Sequence, residues 1–365
     1  MTSAHDSDDV RILKKQCASL AKDENNQVFL VAKGESYKYK EVNIKGIGEF
    51  TGNRIARVLK VSKAVFKAAK ALDADVYELH DPELLLYVKK LKKMGKKVIF
   101  DSHEDYQKQI LEKHYIPSIL RRFVKLVYSI IENRACKYLD AVLFPSAENP
   151  FLGRVKNCVA IYNTPILDEF ITKTSFDQKD DKVCCIGSLT ESRGITALVE
   201  ACYIVGVPLV LGGEFSPEEY GEQLKNKKEY SIVEYKGYCS REDVVDIYNK
   251  CLIGTDTILP MGQYDCTDSL STKVYEYMAM GLPYITSNFK YNMEIIDEYQ
   301  CGIYVDPSSS NEIAESIKFL LNNKETAKKM GENGKQLVEN KFNWQKDEQR
   351  LYDLYNKLYY EEVVL

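Results

Sequence analysis

No apolar run in this 365-residue chain is long enough to cross a bilayer. The longer ones, such as VGVPLVL at Val205–Leu211, stop far short of the ~20 residues a spanning helix needs. The start, MTSAHDSDDV, is polar and acidic and is not a signal peptide. There is no internal repeat and no low-complexity tract. The ten cysteines include no C-x-x-C pair, and only Cys184 and Cys185 are adjacent. That spacing speaks against a disulfide frame or a zinc site, and for reduced, mostly buried thiols in a cytosol. No H-x-H triad or other plausible metal cluster stands out, so no metal is expected.

What is there is an ordinary globular composition, 45% hydrophobic, with an uneven charge. Residues 1–165 hold 29 Lys and Arg against 20 Asp and Glu, a net of +9, and the remainder carries −13. A basic first half and an acidic second half point to two domains with different partners. The overall acidic balance and the lack of a recognition motif argue against nucleic acid.

Short β-rich runs alternate with longer helical patterns. The runs are Gln27–Ala32, Asp75–His80, Lys97–Asp101, Ala141–Pro145 and Cys158–Tyr162, then Lys182–Gly187, Pro208–Gly213, Ile232–Gly237, Pro283–Ser287 and Gly302–Asp306. Such alternation implies an α/β protein built on parallel sheets flanked by helices. Two series of about five strands predict two doubly wound, Rossmann-like domains, with the break near Asn163-Thr164-Pro165. Their ligand is expected in a cleft between them, at the carboxyl ends of the strands. The first domain opens on a helix from Arg11, where a hydrophobic strand is normal; its first strand is expected to be missing.

The densest local signal is DSLSTKVYEYMAMGLPYITS, Asp268–Ser287. A helix opens on Ser269, Ser271 and Thr272, with Lys273 and Glu276 on one side and Val274, Tyr277 and Met278 on the other. Gly281 and Pro283 stop it. Its first turn offers unpaired N–H groups and a partial positive charge, which seat a phosphate. An acid one turn in can hold the adjoining sugar hydroxyls, so the stretch reads as a nucleotide-diphosphate site. The plain alternative is an exposed Lys273–Glu276 pair worth a few tenths of a kcal/mol.

TKVYEYMAMGLPYI resembles the signature of retaining GT-B glycosyltransferases, specifically glycosyltransferase family four. Further matches are TSAHDSDDVRILKKQCASLAKD, HDPELL (His80–Leu85), VIFDSHEDY (Val98–Tyr106), IGSLTESRGI (Ile186–Ile195), VLGG, YKGY and the final FNW. Within the family the chain looks most like enzymes that build bacterial surface polysaccharides. The resemblance implies a GT-B fold, with an acceptor-binding domain at 1–165 and a nucleotide-sugar donor domain at 166–341. It also implies a C-terminal helix, 342–365, packing back on the first domain.

The activity implied is transfer from a UDP- or GDP-sugar to a carbohydrate acceptor, expected to be lipid-linked. It would need no metal and no further cofactor, and would run in the cytoplasm, peripherally on the inner membrane face. Glu276 matches the acid that grips the ribose, and Asp268, eight positions earlier, is expected to face the donor sugar. The Ser271 and Thr272 N–H groups match the diphosphate seat, with Gly187 and Ser188 in the adjoining donor loop. Arg193 matches the basic residue that neutralises the leaving phosphate, with help from Lys273, because Ser188 stands where the family often has a second cation. His103 matches a histidine touching the donor sugar, and Tyr238 a loop near the base. An epimerase or hydrolase of the same fold, or a non-catalytic nucleotide-sugar-binding relic, are the alternatives.

Other residues keep two readings. On the acceptor side, His80 and Asp81 end a predicted strand and read as structural or functional; Glu104 and Asp105 read as solvated acids or as acceptor ligands. The basic segments Lys89–Lys97 and Ser118–Tyr128 read as solvated helix faces or as docking surfaces for an anionic membrane.

Overall fold

The computed structural model describes residues 1–50, 57–112, 117–147, 149–260 and 268–360. The chain forms two compact units: Met1–Asn163 with Gln345–Leu365, and Thr164–Trp344. Residues 361–365 of the C-terminal segment lie outside the described residues.

In the first unit, β4 (Val76–Leu79), β5 (Lys97–Asp101), β6 (Ala141–Phe144) and β7 (Asn157–Ala160) form a parallel sheet in that order. A second sheet joins β1 (Phe29–Ala32) in parallel to β3 (Val42–Gly46), which pairs antiparallel with β2 (Tyr37–Tyr39). This β2–β3 hairpin was not expected from the sequence; its strands are short and mostly polar on the exposed side. The backbone of Met1 and Thr2 lies between the two sheets. The Thr2 N–H donates to the Val31 carbonyl (3.0 Å), and the His80 N–H donates to that of Met1 (3.2 Å). Helices α1 (Ser62–Lys70), α2 (Val88–Lys93), α3 (Tyr106–Glu112) and α4 (Ser118–Cys136) accompany the strands. Val65, Leu79, Leu84, Val98, Phe100 and Val142 are central to the core they enclose.

The second unit has six parallel strands in the order β10-β9-β8-β11-β12-β13. They are β8 (Asp180–Ile186), β9 (Leu209–Gly212), β10 (Val233–Tyr235), β11 (Cys251–Asp256), β12 (Tyr284–Ser287) and β13 (Gly302–Val305). The chain winds outward from β8 to one edge, returns to β11, and winds to the other edge. The winding therefore reverses between β8 and β11, the crevice where open α/β sheets bind ligands. Strands β9, β11 and β12 are buried along their length, and β8 from Val183 onward, which explains why β8, β9 and β12 read as continuous apolar runs. Helices α5 (Ile195–Val205), α6 (Glu218–Lys225), α7 (Arg241–Lys250), α8 (Thr272–Ala279), α9 (Lys290–Tyr299), α10 (Ser310–Asn322) and α11 (Lys324–Asn340) cover the faces.

The last helix, α12 (Trp344–Tyr360), packs on the first unit. Its Tyr352 and Tyr355 hydroxyls donate to the Ser19 carbonyl and to Glu78 Oε2, at 2.5 and 2.6 Å. No helix among the described residues is long and apolar enough to cross a membrane.

Candidate functional site

In the second unit the polar groups gather at the carboxyl ends of β8 and β11. Helix α8 is tied to β11 through Gly254, where a Cβ would stand 2.4 Å from the Tyr277 ring. That contact lets Tyr277 lie against the strand and donate to the Thr255 carbonyl at 3.0 Å. Ser271 caps the helix, accepting from the Val274 N–H and donating to Asp256 Oδ2. At the other end Gly281 takes φ 65° and the Leu282 N–H returns to the Tyr277 carbonyl, so the Gly-Leu-Pro stop works as the sequence implied.

Lys273 does not lie exposed beside Glu276. It is buried, with its ammonium 2.8 Å from Asp256 Oδ1 at the end of β11. Burial acts most strongly, to lower its pKa, but the Asp256 carboxylate and then Cys185 together raise it, so the side chain stays charged. The 2.8 Å contact lacks hydrogen-bond geometry, and Asp256 Oδ1 and the neighbouring Thr257 Oγ1 are buried with no hydrogen-bond partner. Arg193 closes the turn Glu191–Arg193, capped by Thr190, and its charge reaches Lys273. Two cations thus stand near the amino end of α8.

Glu276 accepts from Arg241 Nη1 at 2.6 Å and from the Tyr248 hydroxyl at 3.0 Å. Arg241 is held in turn by Glu169 (3.0 Å) and stacks over the Phe170 ring at 4.3 Å. Both oxygens of Glu276 are therefore oriented. Gly187 follows β8 and lies beside Gly213, where a Cβ would come within 1.8 Å of the Gly187 carbonyl oxygen. Backbone approaches backbone there, and Ser188, next in the loop, is exposed, as is Thr272 at the start of α8. Asp268 is half-buried just before α8, and Tyr238, after β10, is 80% exposed. Asp256, Arg241 and Tyr248 were missed at the sequence level.

In the first unit a separate cluster surrounds Asp101, at the end of β5. Arg11 grips both its oxygens (2.9 and 2.7 Å), Gln16 donates at 2.9 Å, and His80 Nδ1 and His103 Nε2 lie at 3.3 and 3.2 Å. Burial pushes the Asp101 carboxyl up, but Arg11 and the histidines hold it well below the usual range. Burial takes His80 down to about 4, so it is neutral at pH 7. Glu78, 3.7 Å from His80, is raised by burial and then by the Asp101 charge. Asp81 accepts from the Ser3 N–H at 2.5 Å and the Thr2 hydroxyl at 2.8 Å. His5 packs 4.5 Å from the His103 ring. Ligand atoms of His80, Asp101 and His103 lie within 4.8 Å of one another, but a cation there would meet the Arg11 guanidinium on the same carboxylate.

Arg11 and Asp101 are further residues that sequence reasoning passed over. Asp105 acts structurally, since its Oδ1 accepts from the Gln107 and Lys108 N–H groups, both at 3.1 Å, which caps α3. Glu104 is half-buried beside it.

Residues 168–337, most of the second unit, match the family model described as glycosyl transferases group 1. A curated relative, an uncharacterized glycosyltransferase of Methanocaldococcus jannaschii named MJ1178, is 26% identical over 161 residues, 44% of each chain. The match thus spans less than half of that relative. Sucrose-phosphate synthase of Thermosynechococcus elongatus has the same fold at 16% identity, with a TM-score of 0.76 over 99% of this chain and 95% of that one. The Anabaena protein Alr3699/HepE, solved with UDP and glucose, gives 0.70 at 14% identity over 93% and 94%. The structural likenesses show a GT-B fold, and the family match supports glycosyl transfer.

Proposed function

We propose that the chain is a retaining, metal-independent glycosyltransferase of family four. It would move a sugar from a UDP- or GDP-sugar to a lipid-linked carbohydrate in surface polysaccharide assembly, at the cytoplasmic face of a membrane. The observation that carries the reading is the α8 amino end. It lies at the point where the winding of the sheet reverses, with buried Lys273 and Arg193 beside it and Glu276 oriented one turn in. It also falls inside the matched residues 168–337. HepE, crystallised with UDP and glucose, supports a uridine nucleotide.

In this scheme the Ser271 and Thr272 N–H groups and the Gly187–Ser188 loop seat the diphosphate, and Glu276 takes the ribose hydroxyls. Tyr238 lies by the base, and Asp268 and His103 contact the sugar. As the anomeric C–O bond to the diphosphate breaks, negative charge grows on the leaving oxygen. Lys273 and Arg193 stabilise it without reorganising; one such group is typically worth about 10²–10³-fold. The acceptor hydroxyl attacks from the same face, its oxygen bonds the anomeric carbon, and its proton passes to the departing diphosphate. Asp81, with His80 beside it, and Glu104 belong to the acceptor side.

A thermal-shift screen of UDP-, GDP-, ADP- and CMP-sugars identifies the donor, since a ligand of the native state raises the melting temperature. With that donor, Glu276→Ala is expected to abolish both the shift and transfer; unchanged turnover would sink the assignment. Product analysis with and without acceptor separates transfer from epimerisation or hydrolysis.

A further inference from the structure

Helix α4 has two apolar faces. Tyr128, Ala135 and Cys136 bury one against the core of the first unit. On the opposite face Ile119, Phe123, Leu126 and Ile130 follow one another at helical spacing, with Leu120 and Val127 beside them. All six are exposed, Ile119 to 85%, Phe123 to 62% and Leu126 to 58%. Scattered exposed apolar residues need no explanation, but a continuous stripe along one helix marks an interaction surface. The stripe is not a continuation of the core, because its centre points about 170° away from the buried side at 100° per residue.

The flanks say what covers it. From Ser118 to Ile131 the helix carries Arg121, Arg122 and Lys125 and no acidic residue. Arg122 borders the stripe, about 60° to one side, while Arg121 and Lys125 sit behind it. Leu86, on the turn that packs against α4, is a further exposed apolar side chain, and exposed Lys89 and Lys90 follow that turn on α2. Apolar side chains in front with flexible cations at the rim suit a bilayer interface. There the stripe enters the acyl boundary and the Lys and Arg stems reach back to lipid phosphates. A second copy of the chain suits it less well, since pairing α4 with itself would set Arg122 of both copies along one seam, with no acid from Ser118 to Ile131 to pair with them.

We infer that α4 is an interfacial helix, and that its partner is a membrane surface containing anionic lipid. The inference extends the lipid-linked acceptor of the function proposed above but stands on α4 alone. Sedimentation of the full chain with vesicles tests it. The chain is expected to sediment with phosphatidylcholine–phosphatidylglycerol vesicles, less with phosphatidylcholine alone, and less again in high salt. Phe123→Glu with Leu126→Glu should lower the partition coefficient at least about a hundredfold. Arg122→Gln should lower it about fivefold.

The double variant should keep the wild-type melting temperature and nucleotide-sugar shift, since both side chains face solvent. Equal sedimentation with both vesicle types, or none with either, overturns the inference. So does light scattering that shows a dimer which the double variant turns into a monomer. Loss of the nucleotide-sugar shift in the wild type, with vesicle binding intact, would instead count against the glycosyltransferase reading alone.

Discussion

Replacing Lys273 by Met removes the cation from a pair whose side chains are 10% and 3% exposed and whose atoms lie 2.8 Å apart. The Met side chain fills much of the same space, so the loss is electrical. Asp256 is then left as a buried carboxylate held by the Ser271 hydroxyl. Breaking a buried pair by removing one member costs about 3–5 kcal/mol, because the other charge stays desolvated. For a unit of this size that amounts to a fall of roughly 6–20 °C in its melting temperature.

The structural and chemical roles of Lys273 separate in a second variant. Asp256→Asn combined with Lys273→Met removes both charges while keeping an acceptor for Ser271. Most of the lost stability should return. Turnover should not: with one phosphate-directed cation gone, kcat for the nucleotide sugar found in the thermal-shift screen should stay down about 10²–10³-fold in both variants. Melting curves of the intact chain and steady-state kinetics on the same preparations measure the two effects. A single variant that loses less than about 1 kcal/mol would show the pair to be solvated. A double variant that regains turnover along with stability would show that Lys273 only holds Asp256, and the leaving-group role would be wrong.

Two other perturbations probe the supporting structure. Gly213→Ala places a methyl within 1.8 Å of the Gly187 carbonyl oxygen at φ 119°; it should cost about 2–5 kcal/mol by chemical denaturation and weaken the nucleotide-sugar shift. Glu78→Gln tests the buried acid beside His80. A carboxyl with a raised folded pKa stabilises fully below its unfolded value near 4.3 and loses that contribution as pH rises. His80, lowered to about 4, works the other way, losing its contribution as pH falls from about 6.5 towards 4. The two oppose each other in the wild type. The variant keeps only the histidine leg, so its stability should climb from pH 4 to 6.5 more steeply than the wild type's, by up to about 1.4 kcal/mol per pH unit. Parallel pH profiles for the two proteins would show that Glu78 is ionised in the folded state.

What the sequence disclosed, and what it hid, follows from how local each signal is. Helix α8 was legible in one pass, since its hydroxyl cap, its apolar side and its Gly-Leu-Pro stop lie within twenty residues and act through short-range sterics and hydrogen bonds. The parallel sheets were legible because buried strands are apolar throughout. Strand β11 was not. CLIGTD follows α7 directly, with no Gly or Pro before it to mark where the helix ends and the strand begins. The actual helix stops at Lys250 because Cys251 turns extended and enters the sheet between β8 and β12, a tertiary choice with no local marker.

That one omission accounts for most of what was missed at the site. Asp256 ends β11, and Arg241 and Tyr248 lie on the helix before it. Lys273 and Glu276 share one face of α8 yet point to different partners, Asp256 on one side and Arg241 with Tyr248 on the other. On sequence alone the two charges look like each other's natural partner, three residues apart on a helix. Packing α8 between β11 and α7 offers each an opposite charge already held in place, and a buried pair outweighs an exposed one because its solvent screening is lost. The Asp101 cluster repeats the lesson. His80 and His103 were visible as polar residues at strand ends, but Arg11 lies in a helical segment ninety positions before the acid it grips, and only the fold brings it there. Residue type identifies which groups can do chemistry; the order of the strands decides which of them meet.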